Sequence, residues 1–228
     1  MPRMRTLLVI FAKEPVPGQV KTRLCPPLSP EAAAQLYHGF LEDILEEMGR
    51  VPQVDLALAF APDTAAGFFK SLVPTEVFLT PQTGEDLGER LIRAFAWGFG
   101  LGFGVVLVRN SDSPDLPREL VIEAKGALAA GGAKVVLGPS PDGGYYLVGL
   151  RAPQPELFRS LAWSTATVLA DTLNRAQELS LAVHLLPPWP DIDTYEDLAK
   201  FLARPLTPHA PGWRSHRWAK TRLSPDFP

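Results

Sequence analysis

The chain has 228 residues, enough for one large α/β domain and too few for two comfortable ones. Hydrophobic residues make up 46% and charged residues 21%, and the net charge of −3 excludes a global field that would draw nucleic acid. The single cysteine, Cys25, excludes an intrachain disulfide framework. The apolar run Leu7 to Ala12 is too short for the core of a signal peptide, and Lys13-Glu14-Pro15 ends it without a small-residue cleavage site. No stretch of ~18 apolar residues is present to span a membrane. The expectation is a cytoplasmic protein with neither nucleic acid nor membrane as partner.

In chain order, Leu7 to Ala12 predicts a buried parallel strand. A loop rich in Pro and Gly follows. Ser29-Pro30 then opens a helix as N-cap and first helical residue, and Leu36, Phe40, Leu41, Ile44 and Met48 give it one buried face. Val54 to Phe60 predicts a strand, Thr64 to Leu72 a short helix and Thr75 to Thr80 a third strand. Asp86 to Leu101 predicts a helix, and the very apolar Gly104 to Val108 a central strand. Pro117 to Ala130 predicts a helix; Ala133 to Leu137 and Tyr145 to Leu150 predict strands. Thr165 to Leu179 then predicts a helix, Leu181 to Leu186 a strand and Thr194 to Leu202 a last helix. This alternation argues for a three-layer, doubly wound, mostly parallel sheet covered on both faces. Such sheets bind ligands beyond the carboxyl ends of their strands.

Residues 1–203 are therefore expected to form a single domain, followed by a Pro-rich basic tail over 204–228. In the tail, Arg204, Arg214, Arg217, Lys220 and Arg222 face the one acidic residue Asp226. Its prolines predict an irregular segment wrapped on the domain, anchored by Trp213 and Trp218.

The loop after the first strand runs Lys13-Glu14-Pro15-Val16-Pro17-Gly18-Gln19-Val20-Lys21-Thr22-Arg23. Lys13, Lys21 and Arg23 supply three cations, and Gly18 permits close backbone approach. Phosphates are bound by such a combination of backbone N–H groups, a forked guanidinium and point-charge ammonium groups. The same letters also suit a solvated basic loop stiffened by prolines. They match neither a Walker loop nor a dinucleotide fingerprint.

Asn110-Ser111-Asp112-Ser113-Pro114-Asp115 follows the central strand, where an aspartate suits a hard cation held against a diphosphate. Ser, Asp and Pro also make turns and caps, and Asp115 reads as a cap. Asp191-Ile192-Asp193-Thr194 follows the last strand and puts two carboxylates on one side of an extended segment, with a capping role for Asp193 or Thr194 as the alternative. In the loop Gly138 to Tyr146, Gly143 and Gly144 let the backbone pass close to a ligand, and Asp142 suits a hydroxyl; a Pro-Asp-Gly turn accounts for the same letters. Pro81 to Arg90, with Gly84 and Asp86, suits a base pocket, or in Asp86 a first-turn charge. No Ser/His/Asp or Cys/His set stands out. His38 and His184 read as structural, His209 and His216 lie in the tail, and Cys25 has cationic neighbours but no catalytic company.

Taken in order, several segments resemble a bacterial family classed on sequence as glycosyltransferases. They are Phe11-Ala12-Lys13-x-Pro15-Val16-Pro17-Gly18-x-Val20-Lys21-Thr22-Arg23-Leu24, Gln82-x-Gly84-x-Asp86-Leu87-Gly88-x-Arg90, Ser111 to Leu116, the Asp142-Gly143-Gly144-Tyr145-Tyr146 loop, Trp163-Ser164-Thr165 and Asp191-x-Asp193-Thr194. The likeness covers about Leu7 to Phe201. It implies the nucleotide-diphospho-sugar transferase (GT-A, Rossmann-like) superfamily. Lys21 to Leu24 and Asp191 to Thr194 are also similar to phospholactate guanylyltransferases and, more distantly, the layout is similar to molybdenum-cofactor guanylyltransferases. The resemblance implies a nucleotide in the N-terminal half, Mg²⁺ or Mn²⁺ on Asp112 and Asp193, and a small-molecule acceptor near Asp142, Gly143, Gly144 and Trp163. Asn110 departs from the glycine expected two residues before Asp112. The acidic pair of many glycosyltransferases is loosened to Asp112-x-x-Asp115. Both readings of the chemistry, transfer of a nucleotide-activated sugar and nucleotidyl transfer from an NTP with pyrophosphate release, are compatible with these residues, as is a non-catalytic nucleotide-binding protein.

Overall fold

The structure is a computed structural model and describes residues 4–223. Among these residues, seven strands form one sheet: β1 (Thr6–Lys13), β2 (Asp55–Ala61), β3 (Phe78–Pro81), β4 (Val105–Arg109), β5 (Val135–Pro139), β6 (Tyr145–Leu150) and β7 (Val183–Leu185). Their order across the sheet is β3-β2-β1-β4-β6-β5-β7. All neighbours run parallel except β6, which is antiparallel to both β4 and β5. The expected doubly wound sheet is thus present, with one reversed strand next to the centre. β1 and β4 are the most buried strands: Leu7 to Ile10 and Val105 to Leu107 are fully enclosed. Their continuous apolar runs are what two covered faces require.

Among the described residues, seven α-helices complete the layers: α1 (Pro30–Gly49), α2 (Ala66–Leu72), α3 (Leu87–Gly100), α4 (Arg118–Ala129), α5 (Val168–Glu178), α6 (Tyr195–Ala203) and α7 (Trp213–Arg222). α1 starts as its sequence dictates, with Ser29 Oγ accepting from the amide of Ala32 and Pro30 at the first position. α1 with α6 and α7 encloses a core around Phe40, Leu58, Phe69 and Phe201. α3 and α5 cover the opposite face around Phe95, Val106 and Phe158. Among the described residues, no helix is long and apolar enough to cross a membrane.

The tail corrects one expectation. Residues 213–222 are helical, not irregular. Pro205, Pro208 and Pro211 all precede the helix, so none interrupts it, and Gly212 supplies the left-handed turn (φ 78°) that starts it. The cap comes from elsewhere in the chain. Asp43 on α1 accepts from the amides of Arg214 (3.0 Å) and Ser215 (2.9 Å) and from the Ser215 hydroxyl (2.5 Å). A distant carboxylate thus satisfies the amides that a local Ser or Asp would normally serve. Arg214 also pairs with Glu46 of α1. Trp213 and Trp218 are half-buried, and Trp218 lies at the margin of the α1 core. Pro225, Asp226 and Pro228 lie outside the described residues.

Candidate active site

The carboxyl ends of β1 and β4, with the loop before α6, wall a cleft of about 710 Å³. Lys13, Lys21, Thr22, Arg23, Asp86, Asp112 and Asp193 all line it. Two loops that lie 80 residues apart in sequence are joined directly: the Ile192 amide donates to the Asp112 carbonyl at 2.9 Å. The capping alternative for Asp193 is resolved by its neighbour. Thr194 caps α6 and Asp197 reciprocates to the Thr194 amide, so the Asp193 carboxylate faces the cleft.

Lys21 occupies the centre. Its ammonium donates to Asp112 Oδ1 at 2.6 Å, the Ile192 carbonyl at 2.7 Å and Asp193 Oδ1 at 2.8 Å. Its side chain is 4% exposed, against 35% for Asp112 and 37% for Asp193. Burial by itself would lower the Lys21 pKa, but the two carboxylates overcome that and hold it above the usual lysine value. The residue sits in the left-handed region (φ 49°), a conformation that non-glycine residues adopt at a cost. The ammonium expected at a phosphate is therefore turned into the carboxylate pair. Lys13 and Arg23 remain exposed toward solvent.

A buried polar layer holds these loops. Arg109, at the end of β4, donates to the carbonyls of Asn110 (2.9 Å) and Ser113 (2.7 Å). Burial lowers its pKa to about 10, with Asp191, Asp112 and Asp115 acting against that shift. Asp191 accepts from Asn110 Nδ2 (3.0 Å), Ser113 Oγ (2.6 Å) and Ser140 Oγ (3.1 Å). The Asn110 side chain that replaces the expected glycine thus ties the two acidic loops together. Tyr37 of α1 receives the Lys13 amide at 3.1 Å and shares a 2.6 Å hydrogen bond with Ser111. Gln82 donates from Nε2 to the carbonyls of Ala12 (3.0 Å) and Ala59 (2.8 Å), closing the ends of β1 and β2.

The structure separates other candidates from the cleft. Asp115 is bound by Trp189 Nε1 (3.1 Å) and by Arg204, so it braces the C-terminal segment and does not face the cation position. Asp142 is exposed, does not line the cleft, and closes a turn by accepting from the Gly144 amide at 3.1 Å. Gly18, Gly84, Gly143 and Gly144 do not line the cleft either. Gly143 instead permits loop contact: at φ 92°, an added Cβ would lie 1.9 Å from the Ala166 carbonyl oxygen. Asp86 both caps α3, through the Glu89 amide (2.8 Å), and lines the cleft. Arg90, Tyr145 and Trp163 complete the far wall. Tyr37 and Arg109 escaped sequence reasoning because each sits within an apolar pattern that reads as core.

Asp191 gives a test of this layer. Burial first, and then the Asp112 charge, push its carboxyl up to about 6, against the hydrogen bonds from Ser113 and Asn110. The native state then keeps a proton that the unfolded chain releases between about pH 4 and pH 6, so stability falls as pH rises through that window and stays lower above it. Asp191→Asn is expected to flatten this slope and to raise stability at pH 7 by on the order of 2 kcal/mol. Urea midpoints at pH 4.5 and pH 7 measure both. An unchanged slope would show that Asp191 does not carry this proton.

The sheet order, the single reversed strand and the cleft at the strand ends define the α/β fold of nucleotide-diphospho-sugar transferases. A crystal structure from Desulfovibrio desulfuricans G20, described as a "putative nucleotide-diphospho-sugar transferase", is 32% identical, superposes with a TM-score of 0.87, and the match covers 96% of each chain. The chain belongs to the bacterial family described as "Uncharacterized protein conserved in bacteria (DUF2064)", whose profile matches residues 44–165. More distant structures share the fold. A cytidylyltransferase from Leptospira borgpetersenii is 12% identical (TM-score 0.60; 96% of this chain, 94% of that one). The CMP:2-keto-3-deoxy-manno-octonic acid synthetase complexed with CTP is 13% identical (TM-score 0.55; 86% and 96%). No curated protein matches the chain.

Proposed function

We propose that this protein is a metal-dependent transferase that uses a nucleotide-activated sugar. The observation that carries the reading is the cleft in which the basic loop, Asp112 and Asp193 converge on one point at the carboxyl ends of the strands. The description of the Desulfovibrio relative supports the same substrate class. Lys13, Arg23 and Arg90 line the cleft and supply the cationic surface for a diphosphate. Asp86, Gln82 and Leu87 line the side assigned to the nucleoside, and Tyr145, Trp163 and Ser164 the side assigned to the acceptor. With Asp142 closing a turn outside the cleft, acceptor positioning falls to this aromatic wall.

The donor set suits Mg²⁺ or Mn²⁺ in kind, since Asp112, Asp193 and the Ile192 carbonyl offer hard oxygens around a single point. In number it is short: no cluster of three acidic, His or Cys side chains is found among the described residues. Substrate phosphates and water would have to complete such a shell. A bound dication would neutralise diphosphate charge as it develops.

Nucleotidyl transfer from an NTP is the second reading. It is favoured by the number of cations around the cleft, since Lys13, Arg23 and Arg90 could meet the charge of a triphosphate. The cytidylyltransferases support it by fold alone, and the guanylyltransferase likeness rests on Lys21 to Leu24 and Asp191 to Thr194.

A thermal-shift screen of NTPs, NDPs and sugar nucleotides with Mg²⁺ or Mn²⁺ tests both readings. A ligand at 100 times its Kd adds about 2.7 kcal/mol of stability, enough to resolve. Arg23→Ala is expected to remove that shift and leave the free protein's melting temperature unchanged. Slow metal-dependent hydrolysis of a sugar nucleotide favours the first reading and pyrophosphate release the second. No shift with any nucleotide sinks both.

A further inference from the structure

An ammonium group has three N–H bonds, and Lys21 spends them on three oxygens at 2.6, 2.7 and 2.8 Å. Nothing remains to donate to a phosphate. The Nζ also lies 5.6 Å from the Phe40 ring centroid and 6.0 Å from that of Tyr37, so aromatic faces close the apolar side of the same point. The oxygens that converge here are those the proposed metal requires. Two cations cannot share them, because an ammonium and a dication in contact repel strongly in a partly buried site.

We infer that Lys21 is a built-in placeholder cation: it and the divalent metal are alternative occupants of one site, so metal loading and release of Lys21 are a single exchange. The inference rests on the metal-dependent reading and adds its regulation. In the free protein, Lys21 offsets part of the charge of Asp112 and Asp193 and ties the basic loop to the two acidic loops. A nucleotide polyphosphate gives the displaced ammonium a new partner at the mouth of the same cleft. Metal and nucleotide therefore load together, and each favours the other's binding, as any shared coupling requires.

The test is Mn²⁺ binding, followed by electron paramagnetic resonance without nucleotide, in the wild type, Lys21→Met and Lys21→Arg. Lys21→Met is expected to bind Mn²⁺ at least about tenfold more tightly than the wild type, and to lose that gain when Asp112→Asn is added. Lys21→Arg keeps the positive charge and is expected to bind as weakly as the wild type. Equal, measurable binding in wild type and Lys21→Met overturns the exchange and leaves the metal site standing. If none of the three binds Mn²⁺, and the wild type also holds none with nucleoside diphosphate present, the metal reading falls as well. A readout on the unaltered chain guards against misfolding of Lys21→Met. Acetylation of the Lys21 amine, read by mass spectrometry, is expected to be slow in the free protein and several-fold faster at saturating Mn²⁺. Unchanged protection of Lys21 at saturating Mn²⁺ overturns the exchange.

Discussion

Asp112→Ala is expected to lower the transfer rate by about 10²–10³-fold while the chain stays folded; loss of one preorganised electrostatic group at a developing charge has effects of this size. The fold survives because other contacts hold the loop. Alanine keeps the carbonyl that accepts from Ile192, Tyr37 still bonds Ser111, and Asp191 still collects Asn110 and Ser113. Lys21 keeps Asp193 and the Ile192 carbonyl. Asp112 is about a third exposed but its Lys21 partner is buried, so the lost pair costs more than a surface pair, on the order of 1–2 kcal/mol. Rate and urea midpoint should therefore separate: a large loss in turnover with only a small shift of the midpoint. If turnover on the nucleotide found in the thermal screen is unchanged in Asp112→Ala, the cleft is not the reaction centre.

The largest stability effect is expected far from the cleft. Asp43→Ala removes the acceptor for two amides and one hydroxyl at the start of α7, and all three lie in a closely packed contact. Gly39 of α1 approaches Ser215 so closely that an added Cβ would meet its Cβ at 3.4 Å, so water has little room to replace the carboxylate. The hydroxyl keeps the Gly212 carbonyl, so two amide donors are left unsatisfied, and at about 1 kcal/mol or more each they give a loss of roughly 2–4 kcal/mol. Burial raises the Asp43 pKa, while Ser215 and Arg214 pull it back. The ionised form thus carries a desolvation cost that an amide avoids. Asp43→Asn should accordingly lose less than Asp43→Ala. Denaturant unfolding of both variants, with limited proteolysis between Ala203 and Trp213, checks the order. Equal stability of Asp43→Ala and the wild type would show that α7 is docked by its apolar contacts alone.

Function and this brace are connected through α1. The helix carries Asp43 toward α7 and Tyr37 toward the cleft, six residues apart in the chain. Tyr37 fixes both the start of the basic loop and the loop bearing Asp112. Loosening α1 is one route by which a tail residue reaches the site.

Local chemistry was readable from the letters alone. The apolar runs of β1 and β4, the Ser29-Pro30 start of α1 and the Thr194 cap act over a few residues, where side-chain periodicity and backbone capping decide. They fixed the alternation of strands and helices, and with it the position of the loops at one end of the sheet. The reversal of β6 was missed, although the five residues 140–144 between β5 and β6 are too few for a parallel crossover. The partner of Lys21 was not readable. Its carboxylates lie 91 and 172 residues away; the pairing of β1 with β4 and the return of the chain after β7 onto the Asp112 loop bring them together. Asp191 and Asp193 look alike in sequence, yet one is half-buried among an amide and two hydroxyls and the other faces the cleft. The tail's prolines indicated an irregular path, whereas a carboxylate on α1 supplied the cap that let residues 213–222 form a helix. Composition and periodicity thus determined the elements and where a site would lie. Long-range pairing of charges decided which residues compose it, since electrostatic partners are chosen by distance in space and not along the chain.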